Sequence, residues 1–168
     1  MRPLTVPALL ALIALAACSQ PDPMAAMQAR QAAADPPQLW SVEVTDASAR
    51  PGDKPILMCT DRLIRTGFLN QHAFTQTDSC QPERAPVVKP DSISMRCAMG
   101  GESYAIYNAA KGDQAKDFQV TFTMRSIQGD AVFLRQTRRY RHIGPCPATW
   151  KIGDATDRYG RPAVNGMQ

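Results

Sequence analysis

From Asp91 to Ile143 the chain alternates apolar and polar residues with a period of two, the pattern of strands buried on one face only. In DSISMRCAM, Ile93, Met95, Cys97 and Met99 share a face. Gly100-Gly101 follows, a pair suited to a two-residue primed turn, and ESYAIYN then puts Tyr104 and Ile106 on one side. That turn sets Met95 opposite Ile106 and Cys97 opposite Tyr104, so the apolar faces coincide. KDFQVTFTMRSI carries Phe118, Val120, Phe122 and Met124 on one face and Gln119, Thr121, Thr123 and Arg125 on the other. A two-residue Gly129-Asp130 turn into AVFLRQTRRYRHI would place Met124 against Arg135. A three-residue loop, Gln128 to Asp130, places Met124 against Leu134 and Phe118 against Tyr140. A slip of one residue reverses every side chain, so the three-residue loop is expected. It also sets Asp117 across from Arg141 as a charge pair.

Upstream, LWSVEVT (Leu39 to Thr45) alternates, with Trp40, Val42 and Val44 against Ser41, Glu43 and Thr45. PILMC (Pro55 to Cys59) reads as a second short strand, and TDRLIRTGFLNQ as a short helix or irregular turn after a capping residue. With a segment over Pro82 to Lys89, these elements cover or extend four consecutive antiparallel strands. The fold expected is mainly β: a small antiparallel meander, barrel-like or sandwich-like, with at most short helices.

Cysteine spacing adds long-range constraints. Cys59, Cys80, Cys97 and Cys146 are separated by 21, 17 and 49 residues, so no C-x-x-C exists for a zinc ribbon or a thioredoxin-type redox site. In an exported chain four such cysteines predict two structural disulfides. Of the three pairings, Cys80–Cys97 is favoured because the two flank the turn-like KPDS, which leaves Cys59–Cys146.

Export is read from the amino terminus. MRPLTVPALLALIALAACSQ has one basic residue, Arg2, then an apolar run of 10 residues, Ala8 to Ala17. That is half the roughly 20 residues a spanning helix needs and fits a secretory signal. Leu15-Ala16-Ala17-Cys18 resembles a bacterial lipobox, which implies cleavage before Cys18 and fatty acylation of that residue. Several acyl chains on one residue make a stable membrane anchor. Ser19, being non-acidic, implies outer-membrane sorting in such lipoproteins, facing the periplasm. The expected organisation is a signal peptide over 1–17, a lipidated cysteine and flexible tether over 18–38, a disulfide-stapled β domain over 39–160 and a disordered tail over 161–168. Asp22-Pro23 can start a short helix over Met24 to Ala34 inside the tether, stopped by Pro36-Pro37.

PPQLWSVEVT, the spaced cysteines, the SMRC strand end and RRYRHIGPCPATWKIGDATDRYGR resemble the domain-of-unknown-function 3617 family, small exported proteobacterial proteins that are often lipid-anchored. The resemblance runs from about Pro36 to Arg161, and Ile143-Gly144-Pro145-Cys146-Pro147 is its most specific part; Ser41 departs from the acidic residue common after the Trp. It implies export, paired cysteines and a compact domain, and it supplies no catalytic residues.

The residues themselves carry no catalytic pattern. The two histidines, His72 and His142, lie beside no G-x-S-x-G elbow, and neither phosphate-binding glycine motif occurs. Asp154 and Asp157 in GDATDRYG are too sparse for a calcium loop. Trp150 is expected to pin the tail to the core. No enzyme activity, cofactor or metal is therefore expected. Only Arg2 precedes Cys18, which leaves 18 basic and 15 acidic residues, net +3. So mild a charge, in this compartment, argues against nucleic acid and allows loose attraction to anionic lipid or polysaccharide. The arginines focus that reading. Arg135, Arg139 and Arg141 share a face, with Arg125 across the hairpin, while Arg138 shares the packed face with Leu134 and Tyr140 and either finds a partner, Glu102 or Asp117, or lines a cavity mouth. The stripe is either a solvated face that resists edge pairing or an anion contact. The function expected is non-enzymatic binding or envelope maintenance by a lipid-anchored periplasmic protein, with no protein partner identified. The second reading is a small carrier of an apolar ligand, held behind Phe118, Phe122 and Tyr104.

Overall fold

The computed structural model describes residues 22–70, 80–129 and 132–163. Cys18, the segment 1–17 read as a signal peptide, His72, Asp130 and the last five residues lie outside the described residues. The chain is mainly β, and its described residues form two helices, α1 (Pro23–Ala34) and α2 (Arg62–Thr66), and ten strands. The strands are β1 (Gln38–Val44), β2 (Ile56–Thr60), β3 (Gln81–Pro82), β4 (Val87–Val88), β5 (Ser92–Met99), β6 (Glu102–Asp113), β7 (Asp117–Ser126), β8 (Val132–Pro145), β9 (Ala155–Thr156) and β10 (Pro162–Ala163). They form one antiparallel sheet in the order β10-β9-β2-β1-β8-β7-β6-β5-β3, with β4 also on β5. The four long strands β5 to β8 are the meander that the alternation implies. β1 returns to pair with β8, far along the chain, and carries β2 and β9 beyond it.

The long registers follow the side-chain faces. Met95 pairs with Ile106 and Cys97 with Tyr104 across the Gly100-Gly101 turn, where both glycines have positive φ, 60° and 83°. Met124 pairs with Leu134, Phe118 with Tyr140 and Asp117 with Arg141. At the tip the ladder slips: Arg125 pairs with Val132, leaving Phe133 as a bulge residue instead of facing Arg125. The Phe133 ring lies 5.4 Å from that of Tyr104, so the bulge turns an aromatic residue onto the packed side.

One sheet face is the core. Trp40, Phe68, Phe118, Val120, Phe122 and Tyr140 form its larger cluster, and Cys97, Tyr104, Ile106 and Met124 a smaller one. Burying these side chains drives the fold, each contributing about 1.5–3 kcal/mol against an exposed position. Phe68 is the lid. Asp61 caps α2, its side chain accepting the Ile64 N–H at 2.9 Å, and the turn at Gly67 then throws Phe68 onto the sheet, stacked 4.5 Å from Tyr140. Asn108 is buried on this same face, where its amide donates to the Leu69 carbonyl at 3.0 Å and so ties the segment after α2 to β6. Gly112 is needed where β6 meets β7: a Cβ there would lie 2.7 Å from the Asp117 carbonyl oxygen. Ser41 was expected to face solvent opposite Trp40, but it is buried, because β2 and β8 flank β1 on both sides.

Both disulfides join the cysteines in the expected pairs, with Cα–Cα distances of 5.5 Å for Cys59–Cys146 and 5.4 Å for Cys80–Cys97. Two segment boundaries differ from expectation. In the tether, α1 occupies Pro23–Ala34 and Asp35 binds Arg65 at 2.6 Å, so its end is docked on α2. The disordered tail expected over 161–168 does not include Pro162–Ala163, which pairs with Ala155–Thr156. No helix among the described residues is long and apolar enough to cross a membrane.

Candidate functional site

With one face spent on the core, the opposite face of β5 to β8 is what the domain presents. Side-chain parity sorts the arginines as the alternation predicts. Arg125, Arg135 and Arg141 are exposed, whereas Arg139 is half-buried. Thr123 pairs with Arg135 and Gln119 with Arg139, so the stripe runs the length of the β7–β8 ladder.

The charge pair does not follow the strict cross-strand expectation. Arg141 is Asp117's ladder partner, yet the carboxylate is gripped by Arg139, whose Nε and terminal nitrogen donate at 2.9 and 2.6 Å. A two-pronged guanidinium reaches a diagonal carboxylate better than a directly opposed one allows. Arg139 is thereby committed to structure. Its hydrogen bonds hold the Asp117 carboxyl below its ordinary pKa, with the charges of Arg139 and Arg141 adding to that, against partial burial. Among the described residues Arg125 and Arg135 make no ion pair and no side-chain hydrogen bond.

Arg138 lies on the packed side, but neither expected partner meets it. Glu102 accepts the Tyr104 hydroxyl at 2.9 Å, and Asp117 is held by Arg139. Instead Arg138 donates to Gln136 at 2.6 Å and sits 5.2 Å over the Phe122 ring. It also bonds the Tyr140 hydroxyl, whose pKa burial pushes up to about 12 while Arg138 opposes the rise.

The acid-paired loops have structural explanations too. Asp46 tethers the β1–β2 connection to β8: it accepts the Thr137 N–H, and bonds from Ser48 and Thr137 lower its pKa although burial, the largest single influence, raises it. Asp157 accepts the Tyr159 and Arg161 N–H groups, each at 2.9 Å, and pairs with the Arg161 guanidinium. Asp154 accepts the Lys151 N–H at 2.7 Å. Asp157 thus closes the turn between β9 and β10, and Asp154 the turn that precedes β9. His142 is exposed, 5.6 Å from the Trp40 ring, and Trp150 is half-buried.

Asp117 provides a pH test. Its native pKa lies below the unfolded value near 3.9, so its contribution is complete above about pH 4 and is lost as pH falls through the lower native value. Asp117→Asn should lower Tm at pH 7, and the wild-type and variant Tm curves should converge as pH falls below the lowered native pKa of Asp117. A gap that stays constant with pH would show that the ion pair contributes nothing.

The interior expected behind Phe118 and Phe122 is occupied. Phe118 stacks on Tyr140 at 5.1 Å and meets Trp40 edge-on at 6.0 Å. The cavity of note lies on the opposite side of the sheet. It is a cleft of about 320 Å³ where the β3–β4 segment runs along the edge of β5 next to β6, and Arg84, Val87, Ser94, Arg96, Ala105 and Tyr107 are among its lining residues.

Together these features define a disulfide-linked, mainly-β domain with an arginine-rich outer face and no catalytic constellation among the described residues. Comparison with family models, with curated proteins and with solved structures found no match.

Proposed function

We propose that this chain is a lipid-anchored protein of the bacterial envelope, held at the outer membrane through Cys18, facing the periplasm and acting by binding, not by catalysis. The lipobox-like Leu15-Ala16-Ala17-Cys18 and the likeness to the exported 3617 family support the location. The observation that carries the binding role is the outer sheet face: Arg125 and Arg135 stand there without an acidic partner among the described residues, beside Arg141, while the opposite face is a packed core. The surface it meets is anionic lipid. Guanidinium groups suit phosphate, and basic side chains near an anionic membrane are worth about 1 kcal/mol each.

The test is co-sedimentation of the Cys18→Ser chain with phosphatidylglycerol-containing vesicles. Binding should exceed that to phosphatidylcholine vesicles and fall as salt rises past about 0.15 M. Replacing Arg125, Arg135 and Arg141 together by Glu should weaken it at least about tenfold. Equal pelleting of the parent and the triple variant sinks the binding role. Separately, the unsubstituted chain should incorporate labelled fatty acid, and Cys18→Ser should leave the membrane fraction; retention would sink the anchor.

A further inference from the structure

The cleft on the outer face has the parts of a small-molecule site. Its floor and walls follow from cross-strand register. Val87 pairs with Ser94, and Ser94 pairs with Tyr107, so two large side chains flank a small one in a single row. In the next row Arg96 pairs with Ala105, a second small residue. The result is a slot floored by Ser94 and Ala105 and walled by Val87 and Tyr107. Tyr107 is 53% exposed and Val87 58%, so both keep apolar surface in water that a ligand would cover.

The charge in the slot has one sign. Arg84 and Arg96 both line it, both are exposed, and among the described residues neither makes an ion pair or side-chain hydrogen bond. The acid beside Arg84, Glu83, has its carboxylate on the Ser103 hydroxyl. Arg125 pairs with Ala105 from the other side and adds to the positive field. A volume of about 320 Å³ admits a small ligand.

We infer that the cleft between the β3–β4 segment and β5–β6 binds a phosphate monoester carried on a small apolar body. Two guanidinium groups match a dianion and its oxygens, the tyrosine ring and Val87 take the apolar body, and the serine and alanine leave room for it. Soluble esters and lipid headgroups both present this group. The inference does not rest on membrane docking, since it concerns other arginines and a bounded cavity.

The test is calorimetric titration of the full chain in nanodiscs of phosphatidylcholine. Phenyl phosphate should bind, inorganic phosphate at least tenfold more weakly, and phenol not detectably. Arg84→Ala and Arg96→Ala should each weaken phenyl phosphate about tenfold, and Tyr107→Ala severalfold, with Tm unchanged. Dihexanoyl phosphatidate, titrated in parallel, identifies the source: tighter binding than phenyl phosphate assigns a lipid headgroup, and weaker binding a soluble ester. No binding of either, or inorganic phosphate as tight as phenyl phosphate, overturns the site. So does a loss confined to Arg135→Glu, which would mark general attraction to the basic face. Failure here leaves the vesicle result intact, because Arg84, Arg96 and Tyr107 are unchanged in that experiment.

Discussion

Replacing Cys59 and Cys146 together by alanine should lower the unfolding free energy by about 4 to 5 kcal/mol. The two cysteines are 87 residues apart, and in the chain-entropy model the cost of closing a loop in the unfolded state rises with its length. Cys80–Cys97, only 17 residues apart, should be worth about 3 kcal/mol by the same reasoning. Position strengthens the contrast. Gln38 at the start of β1 pairs with Thr60 on one side and Pro145 on the other, so the longer disulfide clamps β2 and the end of β8 around β1. Cys59 is also bracketed by β9, its N–H donating to the Asp154 carbonyl at 2.8 Å. Denaturant unfolding of both double-alanine variants, with the remaining disulfide verified by non-reducing peptide mapping, gives the comparison. A smaller loss for Cys59/Cys146 than for Cys80/Cys97 would refute the ranking.

Trp40→Ala should cost about 3 to 5 kcal/mol. Trp40 is 1% exposed, at the centre of the larger cluster, and meets Phe68 at 5.6 Å and Phe118 at 6.0 Å, both edge to face. Its indole N–H already donates to Gln38 at 3.1 Å, so the wild-type residue leaves no buried donor unpaired. Truncation removes the contact between the lid residue Phe68 and β1 and opens a cavity the sheet cannot close. Leu63→Ala provides the control: Leu63 is equally apolar in sequence but 78% exposed, and its loss should stay within about 0.5 kcal/mol. Equilibrium unfolding distinguishes the two. A Trp40→Ala loss below about 1 kcal/mol would mean that the cluster is not the core.

The Leu63 and Trp40 contrast marks where sequence reading succeeds. In β5 to β8 each strand neighbours the next along the chain, so period-two alternation and turn chemistry decide the pairing. Met124 against Leu134 and Phe118 against Tyr140 follow from avoiding a single slipped residue. Where contacts join distant segments, the pattern is silent. Nothing local says that Phe68 covers Tyr140, that Asn108 reaches Leu69, or that Ser41 is walled in by strands on both sides. The basic stripe was legible as a face because parity sorts it. The assignment of Asp117 to Arg139 was not, since guanidinium reach decides between a direct and a diagonal partner. The cleft was invisible in the sequence for the same reason: the β3–β4 segment has two-residue strands, too short for periodicity, and only its pairing along the edge of β5 brings Arg84 and Arg96 to one cleft.

The position of β1 between β2 and β8 has a kinetic consequence. A chain rich in local hairpins forms its contacts quickly, whereas pairing between distant segments must first meet the entropy of closing a long loop. β5 to β8 can assemble by successive hairpins, but β1, among the first segments made, has only the β1–β2 hairpin available until β8 exists, and a lone hairpin is marginal in water. β1 can take its place in the sheet only once β8 is present to receive it, and that pairing completes the Trp40 cluster.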